Sequence, residues 1–439
     1  MTKEEKYKLA KWAIEHALAN GAQQAKVSIY DSQNSSVEVR EEKIDKLEQS
    51  TQSGLSIELY VDKKYSSLST NRLNKKEELA RFIEEGIAGT KYLSEDEFRT
   101  LPDPSLYYKG EIKDLGTFDP GFLSVDPQEK IQNAFKIEKE VLGQDERIIS
   151  VTASYYDGMS GSVMVTSNGF EGDTAHTYYG LNASVSVKGG DARPESYWSE
   201  SAIFHGDLKA EGIGDKALQR ALKKIGQTKI DSGKMPMILE NRLASQSLSP
   251  LISAINGSAI QQKNSFLVDK IGEKIGSDLL TLVDDPFIVS GRGSRLFDSE
   301  GLALKKRTIF EKGVLKSYNI NTYYGKKLKM DPTSGSTTNL VITPGKRSIE
   351  EMIATLDRGI LIAGFNGGNT NGSTGDFSYG IDGFLIEKGK IVKPVSEMNI
   401  TGNMKQLWAN LVEVGSDVYK NSSWRMPSLM FKDVDFSGI

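Results

Sequence analysis

The chain reads as an α+β protein, with antiparallel sheets and flanking helices, and three observations lead to that class. Forty-two glycines stand against twelve prolines, a balance that suggests many turns and strands and disfavours a helical bundle. Short segments alternate apolar and polar side chains and are separated by Gly, Asn and Asp. Helical patterns bracket groups of strands, so the regular strand–helix alternation of a doubly wound parallel sheet is absent. At 439 residues, two or three domains are expected, because single cores stop growing near about 250–300 residues.

The first unit, residues 1–93, opens with Thr2 followed by Glu5, a capping box that starts a helix. Leu9, Trp12, Ala13, His16 and Ala17 fall on one face of that helix, and Gly21 ends it. His16 reads as a packed or half-buried side chain, since no second histidine or carboxylate is spaced to join it. Strands are predicted at Ala25–Tyr30, Ser36–Glu48 and Gly54–Val61. A second helix begins at Asn74, with Glu77 three residues on, and carries Leu79, Phe82, Ile83 and Ile87. Residues 94–112 are polar, contain Pro102 and Pro104, and read as a linker.

The second unit, residues 113–229, starts its helix at Asp126-Pro127-Gln128-Glu129: an N-cap, a proline at the first helical position and an acid in the first turn. Strands are expected at Ile148–Tyr156, Ser160–Ser167, Thr177–Val187 and Glu195–Phe204, and a helix from Gly214 to Ile225 closes the unit. Helix–strands–helix thus occurs twice, the order an internal duplication would leave, although the residues themselves do not repeat. The third unit, residues 230–439, is rich in glycine. It opens with a strand at Met235–Leu239 and a helical stretch at Leu243–Ile255, and further helices are predicted at Ile349–Leu356 and Met404–Val412.

Composition excludes several chemistries. With no cysteine, the chain has no disulfide, no thiolate nucleophile and no cysteine-ligated zinc. The three histidines, His16, His176 and His205, are far apart in sequence, whereas zinc hydrolases place two on one helical turn. A net charge of −4 lacks the electrostatic footprint of a nucleic-acid binder, so no direct nucleic-acid contact is expected. No apolar run approaches the roughly 18 residues of a membrane span, and the first residues lack the apolar core of a signal peptide. A cytoplasmic location away from membranes is the expectation.

No nucleophile elbow is present; Gly158-Met159-Ser160-Gly161-Ser162 comes nearest and lacks the final glycine. Asp284-Asp285 and the Asp298/Glu300 pair read as solvated or capping groups, because neighbouring side chains in a strand or turn point apart. A hard-cation site from Asp298, Glu300, Asp376 and Asp382 has no spacing that favours it. The glycine-rich stretch Gly364–Asp376 lacks the lysine of a phosphate cradle. It reads either as a loop whose backbone approaches another chain or a peptide, or as a tight turn between core strands.

One set of strings is familiar in order. Leu296-Phe297-Asp298-Ser299-Glu300-Gly301, then Gly313-Val314-Leu315-Lys316-Ser317-Tyr318, resembles the D-x-E-G and G-x-L-x-x-Y signatures of the PmbA/TldD family. Thr374–Gly380, Gly383–Gly389, Asn399-Ile400-Thr401-Gly402-Asn403 and Pro427-Ser428-Leu429 continue the match, and Gly54-Leu55-Ser56-Ile57 fits near the start. Members of that family are modulators of DNA gyrase and metallopeptidases that process or degrade small polypeptides. Its metal-bearing branch carries H-E-x-x-x-H on the helix opening the C-terminal domain, with a cysteine near the chain end. The matching positions here are Leu248, Ser249 and Ser253, with Pro250 among them, and the cysteine is missing.

The resemblance therefore implies a member of the PmbA (TldE)-like branch, a pseudoenzyme without catalytic residues or metal of its own. Zinc is expected only in a partner subunit. The implied assembly is a homodimer, or a heterodimer with a zinc-bearing TldD-type relative, acting on a polypeptide. Asn366, Gly367, Gly368, Asn369, Asp376 and Ser378 are the candidate substrate contacts. The alternative is a non-enzymatic regulatory protein acting on gyrase or on a toxin–antitoxin partner.

Overall fold

Helix α1 (Lys3–Ala19) begins where its capping box places it: the Thr2 amide donates to the Glu5 carboxylate at 2.7 Å, and the Glu5 amide donates to the Thr2 hydroxyl at 3.2 Å. A computed structural model describes residues 1–111 and 113–439 of the chain. The helix buries Lys6, Ala10, Ala13, Ile14 and Ala17, while Leu9, Trp12 and His16 sit at its flank, half-buried. The three short strands expected next are two long ones, β1 (Gln24–Arg40) and β2 (Lys43–Val61). Their turn falls at Glu41 and Glu42, both left-handed with φ of 54° and 56°. A two-residue hairpin needs that conformation and usually takes it from Asn or Gly, so the turn had no sequence signal. Strand β3 (Lys64–Thr70) and helix α2 (Lys76–Thr90) follow; Lys75 caps α2 without a side-chain bond, one residue beyond the expected Asn74.

The next unit repeats this order with α3 (Pro127–Lys139), β4 (Ile148–Thr166), β5 (Glu171–Val187), β6 (Glu195–Ala202) and α4 (Ile213–Lys223). Asp126 caps α3 by accepting from the Gln128 amide at 2.9 Å. Gly158 and Gly161 lie inside β4, so the two strands expected there are one. Gly158 leaves room for the Tyr178 ring laid over it from β5.

All six strands form one antiparallel sheet in the order β3-β2-β1-β4-β5-β6. Strands β1 and β4 pair at its centre, from Lys26 with Thr166 to Val39 with Ala153, which gives the sheet an approximate two-fold axis. Val27, Ile29, Val37 and Val39 of β1 are all buried beneath the helices, as the period of two requires. The opposite face meets the third unit: Lys26 Nζ donates to the Ser299 carbonyl at 2.9 Å, and Met164 packs with Phe170, Leu296 and Phe297. Leu101 and Tyr107, from the stretch read as a linker, are buried, and Tyr107 bridges to Leu302.

The third unit comprises β7 (Gly233–Leu239), α5 (Ala244–Ala254), α6 (Gly257–Gln261), β8 (Leu282–Asp284), β9 (Arg307–Glu311), β10 (Val314–Leu315), α7 (Thr322–Leu328) and β11 (Leu340–Ile342). It continues through α8 (Ile349–Ala354), β12 (Arg358–Thr370), β13 (Asp376–Glu387), β14 (Lys390–Asn403), α9 (Met404–Ala409), β15 (Leu411–Val414), β16 (Trp424–Arg425) and β17 (Leu429–Ser437). One sheet runs β14-β13-β12-β7-β17-β15, and β14 also pairs with β17, so its first five strands close on themselves. A second sheet runs β10-β9-β8-β11-β16. Leu248 and Leu251 of α5 share one core with Met237 and Phe431 of the closed sheet and Leu282 and Ile309 of the other. Each such side chain contributes about 1.5–3 kcal/mol by leaving water. The α+β class with antiparallel sheets is the one the sequence implies.

Candidate functional site

Strand β6 is an end strand of the first sheet, and the hairpin of β12 and β13 stands opposite it. The register fixes which backbone groups of β6 are engaged. The Val187 amide donates to the Pro194 carbonyl at 3.0 Å, so even-numbered residues of β6 bond to β5 and odd-numbered ones turn their N–H and C=O outward. Two of the outward carbonyls are taken: Lys224 Nζ donates to Glu195 at 3.1 Å and Arg242 Nη1 to Ser199 at 3.0 Å. Tyr197, 61% exposed, presents both outward groups to the cleft, and Ser201 turns its own outward further along the strand.

The cleft between β6 and the hairpin has a hollow of about 260 Å³ walled by Tyr197, Trp198, Arg242, Phe365, Asn366 and Asp382. A second hollow of about 440 Å³ adjoins it, sharing Lys224, Asn366 and Asp382. Arg242 lies 3.8 Å from the centre of the Trp198 ring, and Trp198 Nε1 donates to Glu200 at 2.9 Å, which together hold the indole in place. Asp382, 6% exposed, sits 2.8 Å from Lys224 Nζ, although its Oδ2 is out of line for a hydrogen bond. Gly364 makes this possible, because a Cβ there would occupy the space of the Asp382 carboxylate.

The glycine-rich stretch is not a loop along most of its length. Residues 364–370 continue β12, and only 371–375 form the tip. The register slips between Phe365 and Gly368, with φ of 100° at Gly367 and 111° at Gly368, which is a bulge that side chains resist. Of the six residues expected to meet substrate, Asn366 lines the cleft. Gly367 and Gly368 shape the bulge beside it, and Asn369 pairs with Ser378 further toward the tip. Asp376 binds Asn403 Nδ2 at 2.9 Å and the Thr374 hydroxyl at 2.7 Å, and these two bonds hold its pKa below the usual carboxylate range. Sequence reasoning did not single out Tyr197, Trp198, Lys224 or Arg242 for this site, since nothing local marks β6 as an end strand facing a hairpin far along the chain.

Helix α5 carries the three positions matched to the zinc motif. Leu248 is fully buried in the core, whereas Ser249 and Ser253 are exposed, and Pro250 lies within the helix. The histidines are elsewhere and have separate neighbours. His16 Nε2 lies 2.9 Å from Glu84, His205 sets its ring edge against Tyr179, and His176 is on β5. An alkyl side chain and two exposed hydroxyls do not fit a zinc ion. Among the described residues, no three His, Cys, Asp or Glu side chains gather as metal ligands.

The signature acids serve the local backbone. Asp298 Oδ1 accepts from the Glu300 and Leu302 amides at 2.9 and 3.0 Å, and Glu300 accepts from the Thr322 amide at 2.9 Å at the start of α7. Burial raises the pKa of both carboxyls. Asp284 pairs with Arg307 at 3.1 Å, and Asp285 with Lys306 at 2.8 Å.

Three family profiles match in succession: domain 1 of the PmbA/TldA metallopeptidases at residues 25–89, their central domain at 120–225 and their C-terminal domain at 232–438. The chain belongs to the PmbA/TldD family. It is 28% identical to the metalloprotease PmbA of Escherichia coli O157:H7, over 94% of this chain and 92% of that protein. A metalloprotease TldD homolog of Haemophilus influenzae is 24% identical over 64% of this chain and 63% of its own length. The crystal structure of a Bacteroides thetaiotaomicron protein described as a modulator of DNA gyrase superposes with a TM-score of 0.98, at 53% identity and 100% coverage of both chains. TldE from Thermococcus kodakarensis, 21% identical, shares the fold with a TM-score of 0.85 over 98% of this chain and 100% of its own. No helix among the described residues is long and apolar enough to cross a membrane.

Proposed function

We propose that this chain serves a cytoplasmic metallopeptidase system of the PmbA/TldD type as a subunit that holds polypeptide in extended form and does not itself hydrolyse it. The observation that carries the reading is the outward-facing edge of β6 within a cleft, where a peptide adds as a further strand opposite Asn366. Leu248, Ser249 and Ser253 support the division of labour, since this helix offers nothing to ligate zinc or to activate water. The zinc then belongs to a TldD-type partner in a heterodimer, and a homodimer forms in the partner's absence.

Tyr197→Pro tests this directly. Its amide points outward, so proline removes a donor from the cleft and leaves the β5–β6 ladder intact. One lost hydrogen bond of about 1 kcal/mol lowers peptide cleavage by a mixture with a zinc-bearing relative about fivefold. The unfolding temperature stays unchanged, and the chain alone cleaves nothing. Unmodified cleavage by a correctly assembled Tyr197→Pro complex removes β6 from the reading, and cleavage by the chain alone removes the division of labour.

A regulatory reading is favoured by the description of the Bacteroides protein, which is 53% identical. On that reading, the net charge of −4 directs the contact at a gyrase-related or toxin–antitoxin protein partner and away from nucleic acid. A genome encoding no relative with H-E-x-x-x-H would favour it over the peptidase subunit.

A further inference from the structure

Beyond Trp198, β6 runs into a separate cavity of about 490 Å³, formed where Glu200–Phe204 meet Ser290, Arg292 and residues 420–425 of the third unit. Lys209, Lys216, Arg292, Lys420 and Arg425 line it, against Glu200, Asp207 and Glu211. Glu200 is already engaged by Arg242 at 3.2 Å, by Trp198 Nε1 and by Asn421. The two arginines are the unusual feature. Arg292 makes one long hydrogen bond, 3.5 Å to the Ala202 carbonyl, and Arg425 one of 3.5 Å to the Lys420 carbonyl. Arg425 Nε is buried with no partner at all. Among the described residues neither guanidinium has a carboxylate within 4.0 Å, whereas Arg220 and Arg242 of the neighbouring cleft each have one and the half-buried Arg295 is bonded to Ser336 and Thr337 at 2.8 and 2.9 Å.

Both arginines are half-buried, and a guanidinium partly withdrawn from water without an anion is unfavourable, so that burial lowers the pKa of both side chains. Its planar fork is matched to an oxyanion, carboxylate or phosphate, through paired N–H donors. Lys224 and Arg242 have a different task, since they are spent on β6 carbonyls and on Asp382 and Glu200. The cationic cavity lies at the C-terminal end of the same strand whose outward edge forms the cleft.

We propose that this cavity is an oxyanion site formed by Arg292 and Arg425, and that its ligand is the free C-terminal carboxylate of a polypeptide laid along β6. The oxyanion site stands on the arginines alone; its assignment to a peptide end rests on the reading of β6 given above. The protein then selects peptides by their terminus: those ending within the cleft are held, and chains continuing past Ala202 are excluded. This adds a length and end requirement to an otherwise sequence-tolerant backbone contact.

The probe is an N-acetylated octapeptide of alternating Thr and Val, as long as β6, prepared as the free acid and as the amide. Binding to the full chain is followed by calorimetry in low-phosphate buffer. The free acid binds at least tenfold more tightly than the amide. Arg292→Gln and Arg425→Gln each reduce that ratio toward one while leaving amide binding unchanged. Neither substitution markedly lowers the unfolding temperature, because among the described residues neither guanidinium has an ion-pair partner and each makes only one hydrogen bond, of 3.5 Å; a marked loss of stability would assign the arginines a structural role and overturn the site. Equal binding of acid and amide to the unmodified chain overturns the terminal-carboxylate assignment and leaves the β6 cleft standing. Failure of both peptides to bind overturns the two together. Inorganic phosphate binding that Arg425→Gln abolishes, alongside equal binding of acid and amide, would give the cavity to a free phosphate instead.

Discussion

Leu248→His would place an imidazole at the position that the resemblance matches to the first histidine of H-E-x-x-x-H, and the burial of that position implies a loss of stability without a metal gained. Leu248 is 0% exposed, packed with Leu251, Trp408 and the rest of the largest core. Removing a leucine from such a place forfeits about 1.5–3 kcal/mol of burial. Imidazole nearly fills the volume, so little cavity results, but its ring nitrogens reach no water, which costs a further ~1–3 kcal/mol. The sum, about 2.5–6 kcal/mol, is a large part of the ~5–15 kcal/mol by which domains are stable, and shifts the midpoint by roughly 2–4 °C per kcal/mol. Ser249→Glu and Ser253→His lie on the exposed side of α5 and change stability by no more than about 0.5 kcal/mol. Thermal unfolding of the three single variants and the triple variant, followed by circular dichroism at pH 8, measures this, and elemental analysis after dialysis counts zinc. A Leu248→His protein as stable as the unmodified chain, together with a triple variant retaining one zinc per chain, would falsify the buried placement of this helix face.

Two further outcomes concern the hairpin and the sheet. Gly368→Val unfolds at a clearly lower temperature than Gly367→Ala: a Cβ at Gly368 meets the Ser378 carbonyl and Tyr379, whereas one at Gly367 meets nothing within 4 Å and carries only the ~1–2 kcal/mol strain of positive φ. Equal midpoints would contradict the bulge. Desolvation, then the charge of Arg295, lower the pKa of His176 in the folded chain. Above about pH 6.5 the imidazole is neutral in both states; below it the unfolded chain takes up the proton first, so this stability is lost as pH falls toward the folded value. The unfolding midpoints of the unmodified chain and His176→Gln should therefore separate between pH 7 and pH 5; Asp298 and Glu300, raised in pKa and opposite in sign, are common to both and cancel. Parallel curves would refute the assignment.

What could be read from the sequence was what neighbours in sequence decide. The Thr2–Glu5 capping box, the Asp126-Pro127 start and the alternation of β5 involve residues within a turn or two of one another. Glu41-Glu42 turned the chain without a residue that favours positive φ, and Gly158 sat in a strand because a distant tyrosine needed the room. In the glycine-rich stretch the reading of a turn between strands fits only the tip at 371–375, and the rest is strand, since bulged strands and loops use glycine for the same reason. Asn366 was recognisable as a polar group among glycines. Its companions Tyr197, Trp198 and Arg242 come from an end strand and a distant helix approach, and only the sheet order brings them to it.

The seam between β1 and β4 has a consequence for origin. A polypeptide ending after α2 would leave β1 as an open border from Lys26 to Val39, and one starting at α3 would leave β4 equally bare. A second copy, rotated by half a turn, would satisfy either border, pairing like strand with like. The present chain holds by a covalent connection what two copies of a shorter gene product would hold by association, the relation that tandem fusion of a homodimer leaves behind. Fusion also frees the halves from identity. At one border Ser66 of β3 meets Thr90 of α2, while at the other β6 has diverged to carry an indole clasped by arginine beside an arginine-lined hollow, a difference no self-associating ancestor could encode.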